Sequence, residues 1–284
     1  MSELDLPPLS RRALKWGKGE AKAVFLAANG FPVRSYDFLL KGLSDQWPLL
    51  GLENRGVWDK KIPPEGFNWH GHAEDLLASL EPRAITLPTI GIGHSIGATV
   101  TALAARRHPE RFRALVLIDP ATVPGRWLPF LVRLVPALTK RMELVTRTRN
   151  RREIWPDSDA FVAYHREKAV YRSFTEQAMA DYGAAALRSQ GSGYTLAYSR
   201  EWEARNFQHT AVFWPVARKL EVPTLILRGE TSYLHPQAEF ARNQRRLPAH
   251  IQAITVPGVG HMLPQEAPEQ VLIAIADWCR QQGF

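Results

Sequence analysis

The sequence is poorest in cysteine: Cys279 is the only one in 284 residues, which excludes an internal disulfide and leaves redox chemistry without support. Its neighbours Ile275, Ala276 and Trp278 mark it as a packing residue of a helix rather than a nucleophile. Long apolar runs are missing too. No uninterrupted stretch approaches the ~18 residues that a membrane span needs, and Met1 to Ser10 lack a basic segment followed by an apolar one, so a cytoplasmic protein is the expectation. There is no internal repeat, no low-complexity tract, no phosphate-cradling glycine loop and no metal-ligand spacing beyond the weak His70-x-His72 pair. Neither a cofactor nor a metal is therefore expected. Nucleic-acid readout lacks its signature, a basic motif interleaved with aromatics.

What is present is an ordinary globular balance, 45% hydrophobic and 23% charged, in a chain long enough for one large domain with an insertion. The net charge of +8 is unevenly spread: Ala121 to Arg172 holds eleven Lys and Arg against five Asp and Glu. Such a run is first of all a solvated helical face. It could also draw an anionic substrate or give peripheral contact with acidic lipid.

Apolar strand patterns alternate with helical spacing through the first part of the chain. Arg11 to Trp16 and Ala21 to Ala28 read as strands joined by the turn Gly17-Lys18-Gly19-Glu20, followed by the sharp turn Asn29-Gly30-Phe31-Pro32 and a helix with Tyr36, Phe38, Leu39, Leu40 and Leu43 inward. Trp47 to Leu52, Ile85 to Ile92 and Arg113 to Ile118 are further strands, with a helix over Trp69 to Leu80. Continuously apolar strands are expected where both faces of a sheet are covered. The pattern predicts an α/β fold with a mostly parallel central sheet flanked by helices. From Ala121 to about Pro215 the alternation gives way to helical segments rich in Arg, Trp and Tyr, with the apolar group Trp127 to Val135. Strands return at Val222 to Leu227 and Ile251 to Val256. The expected organisation is a core of 1–120 and 216–284, with 121–215 inserted as a helical cap.

Gly93-His94-Ser95-Ile96-Gly97 sits between a strand and an alanine-rich helix. A serine there stands on a tight elbow with its hydroxyl above the sheet and the first N–H groups of the helix behind it. That hydroxyl needs a base, and an imidazole is the side chain suited to the task near neutral pH. His261 is the candidate, because it follows the last strand closely and has glycines, Gly258 and Gly260, beside it. His94, an interior position of the elbow, is expected to line or support the pocket.

Taken together, Asn29-Gly30-Phe31-Pro32, the elbow, Leu117-Ile118-Asp119-Pro120 and Gly258-Val259-Gly260-His261-Met262-Leu263-Pro264 resemble the α/β-hydrolase family with a helical cap, over nearly the whole chain. The resemblance implies Ser95 as nucleophile, His261 as general base, and an oxyanion hole made by the N–H groups of Ile96 and Phe31. Two departures stand out. Asn29 replaces a common histidine, which alters the hydrogen bonds beneath the oxyanion turn but should leave the Phe31 N–H available. Thr231-Ser232-Tyr233 holds no carboxylate where many members carry the triad acid. Asp119, at the end of the strand after the nucleophile strand, is the better substitute, with Glu230 the other candidate.

The resemblance points to a serine hydrolase (esterase, lipase or thioesterase-like) that cleaves an ester or thioester through an acyl-enzyme. A small-molecule substrate with an apolar acyl or aryl group is expected, with lysophospholipid and acyl-CoA as the substrates to test. The alternatives are hydrolysis of a carbon-carbon bond in a β-diketone and a non-catalytic ligand-binding protein of the same fold. Dehalogenase and epoxide hydrolase chemistry is disfavoured, because those relatives put an aspartate where this chain has Ser95.

Overall fold

The computed structural model describes residues 6–59, 61–80, 85–122 and 143–283. Its centre is a sheet built from β1 (Ala13–Trp16), β2 (Ala21–Leu26), β3 (Leu49–Leu52), β4 (Ile85–His94), β5 (Phe112–Ile118), β9 (Thr224–Gly229) and β10 (Ile251–Val256). These seven run in the order β1-β3-β2-β4-β5-β9-β10. Every pairing is parallel except that of β1 with β3, where Ala13 lies opposite Leu52. The Gly17 to Glu20 turn therefore closes no hairpin, since β3 lies between the two strands that it joins.

Side chains alternate across the strands, and each face is covered. Ala23, Phe25, Ile90, Ile92 and Val116 pack with Leu39, Leu40 and Leu43 of α1 (Asp37–Ser44), whereas Phe38, expected on the same stripe, is exposed, since it stands one residue ahead of the 39/40/43 face. Val24, Leu26, Leu115 and Leu117 point the other way, against Ala73 and Leu76 of α2 (Trp69–Ser79) and Val100 and Leu103 of α3 (Ile96–Arg107). Both faces buried is the physical reason for the unbroken apolar run of β2.

Between β5 and β9 the described chain leaves the main sheet. It forms α4 (Glu143–Arg149), α5 (Ser158–Arg166), α6 (Glu176–Ala186) and α7 (Arg200–Gln208). Side chains of Asp157, Thr175 and Ser199 accept the free N–H groups that open α5, α6 and α7. Beside these helices lies a second, antiparallel sheet of β6 (Ile154–Trp155), β7 (Leu187–Gln190) and β8 (Gly193–Leu196), ordered β6-β8-β7. Strands of two to four residues are too short to print an alternating pattern, so only the helices were readable here. Trp155, Phe161, Met179 and Tyr182 of this segment share one buried cluster with Phe25 and Ile92 of the main sheet. The group Trp127 to Val135 lies outside the described residues.

Helix α3 lies against β2 because Gly97 has no side chain: a Cβ there would fall 2.2 Å from the Leu26 carbonyl oxygen. By contrast Gly19 needs glycine only for its φ of +88°, with nothing within 4 Å of an added Cβ. Urea unfolding should separate the two causes. Gly97→Ala is expected to cost about 3 kcal/mol or to prevent folding, and Gly19→Ala about 1 kcal/mol; equal costs would refute the close packing of α3 on β2.

Candidate active site

Two residues that end neighbouring strands adopt left-handed backbone conformations that side chains disfavour. Ser95, after β4, has φ +56°, and Asp119, after β5, has φ +39°. Backbone hydrogen bonds hold both in place. The Ser95 N–H donates to Ile118 O at 3.0 Å, its carbonyl accepts from Thr99 and Ala121, and the Asp119 N–H donates to Leu227 O at 2.7 Å. Ser95 is buried and Asp119 is fully so.

His261, in the loop after β10, reaches both. Its Nε2 lies 3.0 Å from Ser95 Oγ and its Nδ1 3.1 Å from Asp119 Oδ1. Gly229, which ends β9, allows this approach, since a Cβ there would meet the Gly260 carbonyl oxygen at 2.0 Å. Asp119 receives further donors that sequence reasoning missed: Ser232 Oγ–H at 2.8 Å on Oδ1 and the Gly229 N–H at 2.9 Å on Oδ2. Burial alone would raise the Asp119 pKa. The hydrogen bond from His261, the nearby imidazoles of His261 and His235, and the Gly229 N–H together hold it below the ordinary carboxylate value. The sequence marked 231–233 as a stretch without a carboxylate, but a serine in a loop gives no sign that it serves a carboxylate from another strand.

Glu230 is directed elsewhere, accepting the Gly258 N–H at 2.8 Å. His94 is a strut rather than a wall. Its Nε2 lies 2.9 Å from the His261 carbonyl, which only accepts, so Nε2 carries the proton. Its Nδ1 then accepts from Tyr36 Oη–H at 2.7 Å, and Tyr36 Oη accepts the Ala28 N–H at 3.1 Å. One chain of hydrogen bonds thus ties the turn after β2, the Ser95 elbow and the His261 loop. Burial, with the His261 charge next, lowers His94 to about 3, and burial raises Tyr36, so both stay neutral.

Ile96 opens α3, where an N–H has no intrahelical acceptor. Phe31 differs from expectation: its N–H is not free but closes the turn onto Ala28 O over 3.2 Å, a long bond. Phe31 also packs its ring against Tyr182 at 4.9 Å between centroids, and against Tyr171 and Phe174 at 6.1 and 6.3 Å. At the other side Tyr233, exposed, stands edge-on to His261 with centroids 5.4 Å apart. Of the His70-x-His72 pair, His72 is buried and meets Asn206 Oδ1 at 2.9 Å. Cys279 is buried in the final helix, with its thiol pushed up to about 11 by burial, and so is poorly suited to act as a nucleophile.

The sequence matches the model of the Alpha/beta hydrolase family over residues 23–274. It is 26% identical over 251 residues to the 2-(acetamidomethylene)succinate hydrolase of Mesorhizobium japonicum, covering 86% of this chain and 82% of that one. A type I acyl-CoA thioesterase of Penicillium brevicompactum is 29% identical over 168 residues, 50% of this chain and 35% of its own. The crystal structure of E-2-(acetamidomethylene)succinate hydrolase superposes with a TM-score of 0.78 at 23% identity, covering 94% of each chain.

Four histidines are held below their ordinary value of 6.5 chiefly by burial: His72, His235, His165 at about 4 and His94 at about 3. Once unfolded they bind protons below pH 6.5, so their contribution to stability is full above that pH and is lost as the pH falls. Glu53 opposes them, because burial pushes its carboxyl up to about 7 and the folded state then holds a proton that the unfolded chain releases. Glu203 acts in the same sense as Glu53, its carboxyl raised chiefly by burial, so with four groups against two the stability to urea should still drop between pH 6.5 and pH 5, by on the order of 1 kcal/mol per pH unit. A flat profile over that range would contradict the burial of neutral imidazoles.

Proposed function

Since the chain belongs to the alpha/beta hydrolase family, we propose that it is a serine hydrolase that cleaves a carboxylic ester or thioester through an acyl-enzyme. The observation that carries this reading is the imidazole of His261, 3.0 Å from a serine hydroxyl and 3.1 Å from a buried carboxylate. In the proposed reaction Ser95 Oγ attacks the carbonyl carbon while His261 Nε2 takes its proton. The tetrahedral oxyanion is met by the N–H of Ile96 and by that of Phe31, which would turn from its long bond to Ala28. Collapse breaks the bond to the alkoxide or thiolate, which leaves with the proton from His261. Water, deprotonated by the same imidazole, then releases the acid and restores the Ser95 hydroxyl. Asp119 keeps Nδ1–H pointed at itself, so that Nε2 is the basic nitrogen, and stabilises the imidazolium.

An apolar acyl or aryl group suits the aromatic surroundings of the oxyanion turn, where Phe31, Tyr171, Phe174 and Tyr182 pack together. The thioesterase similarity supports a thioester as well as an ester. Residues 121–215 would act as the cap over this pocket, a role supported by the way Trp155, Phe161 and Tyr182 continue the core of the sheet. A cytoplasmic setting accords with the lone buried cysteine; no helix among the described residues is long and apolar enough to cross a membrane.

A substrate panel tests the proposal. p-Nitrophenyl butyrate and butyryl-CoA should be cleaved and a dienolic β-diketone left intact. Ser95→Ala should lower ester turnover by at least about a thousandfold, and Asp119→Asn by up to about ten-thousandfold with binding retained. Full ester turnover by Ser95→Ala would end the proposal, and cleavage of the diketone alone would replace it with carbon-carbon hydrolysis.

A further inference from the structure

Asn29 opens the turn that carries Gly30 and Phe31, and its side-chain amide is engaged from both ends. Its Oδ1 accepts from Tyr198 Oη–H at 3.1 Å and from Asn206 Nδ2–H at 3.0 Å, and its Nδ2 donates to the Glu203 carbonyl at 3.0 Å. All three partners lie 169 to 177 residues away, on α7 and in the bend between β8 and α7. Asn206 is anchored in turn. Its Nδ2 also donates to Tyr198 Oη at 3.3 Å, its Oδ1 accepts from His72 Nε2 at 2.9 Å, and its carbonyl accepts from the Trp69 indole at 3.0 Å. Tyr198 and Asn206 are 1% and 2% exposed, so water does not compete for these bonds.

A second contact works at the next residue. Gly30 has φ +82°, and an added Cβ would fall 2.8 Å from Glu203 Oε1. The Glu203 carboxylate is itself held by Arg151 Nη1 at 2.8 Å. The turn is thus clamped through Asn29 and backed at Gly30 by the same helix.

We propose that Asn206 and Tyr198 are positioning residues, which fix the Gly30-Phe31 turn through Asn29 and so make α7 responsible for where the Phe31 N–H points. The inference rests on the reading of the chain as a serine hydrolase for its effect on catalysis, though not for its effect on the turn. The Phe31 N–H has only a long bond to Ala28 O, so the turn by itself fixes this donor weakly. A misplacement of about 1 Å at such a site costs up to about a hundredfold in rate, and losing an oxyanion donor outright costs at least as much.

The test uses Tyr198→Phe, which removes one hydroxyl and keeps the buried ring, beside Asn206→Ala, Asn29→Ala and the Asn29→Ala/Asn206→Ala double variant. Two quantities are read: kcat and KM for p-nitrophenyl butyrate, and hydrogen-deuterium exchange over residues 26–34. Both single changes at 198 and 206 should lower kcat about tenfold or more with KM within about twofold, and should speed exchange at 28–31. The double variant should lose little beyond Asn29→Ala alone, because Asn206 acts through Asn29. Folded Tyr198→Phe protein with wild-type kcat and unchanged exchange at 28–31 would overturn the inference, as would losses at 29 and 206 that simply add. If the wild-type protein cleaves neither ester nor thioester, the reading as an ester or thioester hydrolase fails by itself. Exchange at 28–31 then still decides the positioning role, faster exchange upholding it and unchanged exchange refuting it.

Discussion

An imidazole held at both nitrogens is the constraint on which the rest depends. His261 sits in a loop, and a loop histidine has no fixed direction of its own. It gains one because Asp119 lies within 3.1 Å of Nδ1 and because its own carbonyl takes a hydrogen bond from His94 at 2.9 Å. The sheet makes this possible. β4 and β5 are adjacent and parallel, and β9 brings β10 to the far side of β5, so Ser95, Asp119 and the loop bearing His261 all emerge at the carboxyl ends. A change of strand order or direction would scatter them.

The site stores strain where the chemistry is proposed to occur. Ser95 and Asp119 each hold a positive φ, at an expected cost of about 1–3 kcal/mol apiece. Hydrogen bonds at their N–H groups and at the Ser95 carbonyl offset that cost. Neutral, buried groups do the remaining alignment. The run from Ala28 through Tyr36 and His94 to His261 requires one proton placement throughout, which a charged His94 would break. Asn29 adds a second brace, its amide bonded to Tyr198, Glu203 and Asn206 of the segment between β5 and β9.

Much of this was legible in the order of residues. The parallel sheet followed from two-faced apolar strands such as Ala21 to Leu26, and the elbow from two glycines that leave no room for a Cβ, Gly93 and Gly97. His261 could be singled out because it follows the last strand, and Asp119 because it ends a strand from which members of the resembled family supply their acid. What was not legible depends on contacts between distant segments. Ser232 looks like any loop serine until Asp119 is found 2.8 Å away, and Asn206 lies among helical residues with nothing to mark its bond to Asn29. The β6-β8-β7 sheet escaped notice because strands of two to four residues carry no period. The bond from Phe31 N–H to Ala28 belongs to the closing of a turn, which composition alone does not specify.

The central claim is that Ser95 is a nucleophile because His261 can take its proton. Reaction of the folded protein with a fluorophosphonate probe, followed by mapping of the modified peptide, measures this without any assumption about the natural substrate. The account predicts one equivalent of label on Ser95, lost in His261→Ala. A folded protein that takes no label, or that carries it on another residue, would contradict it.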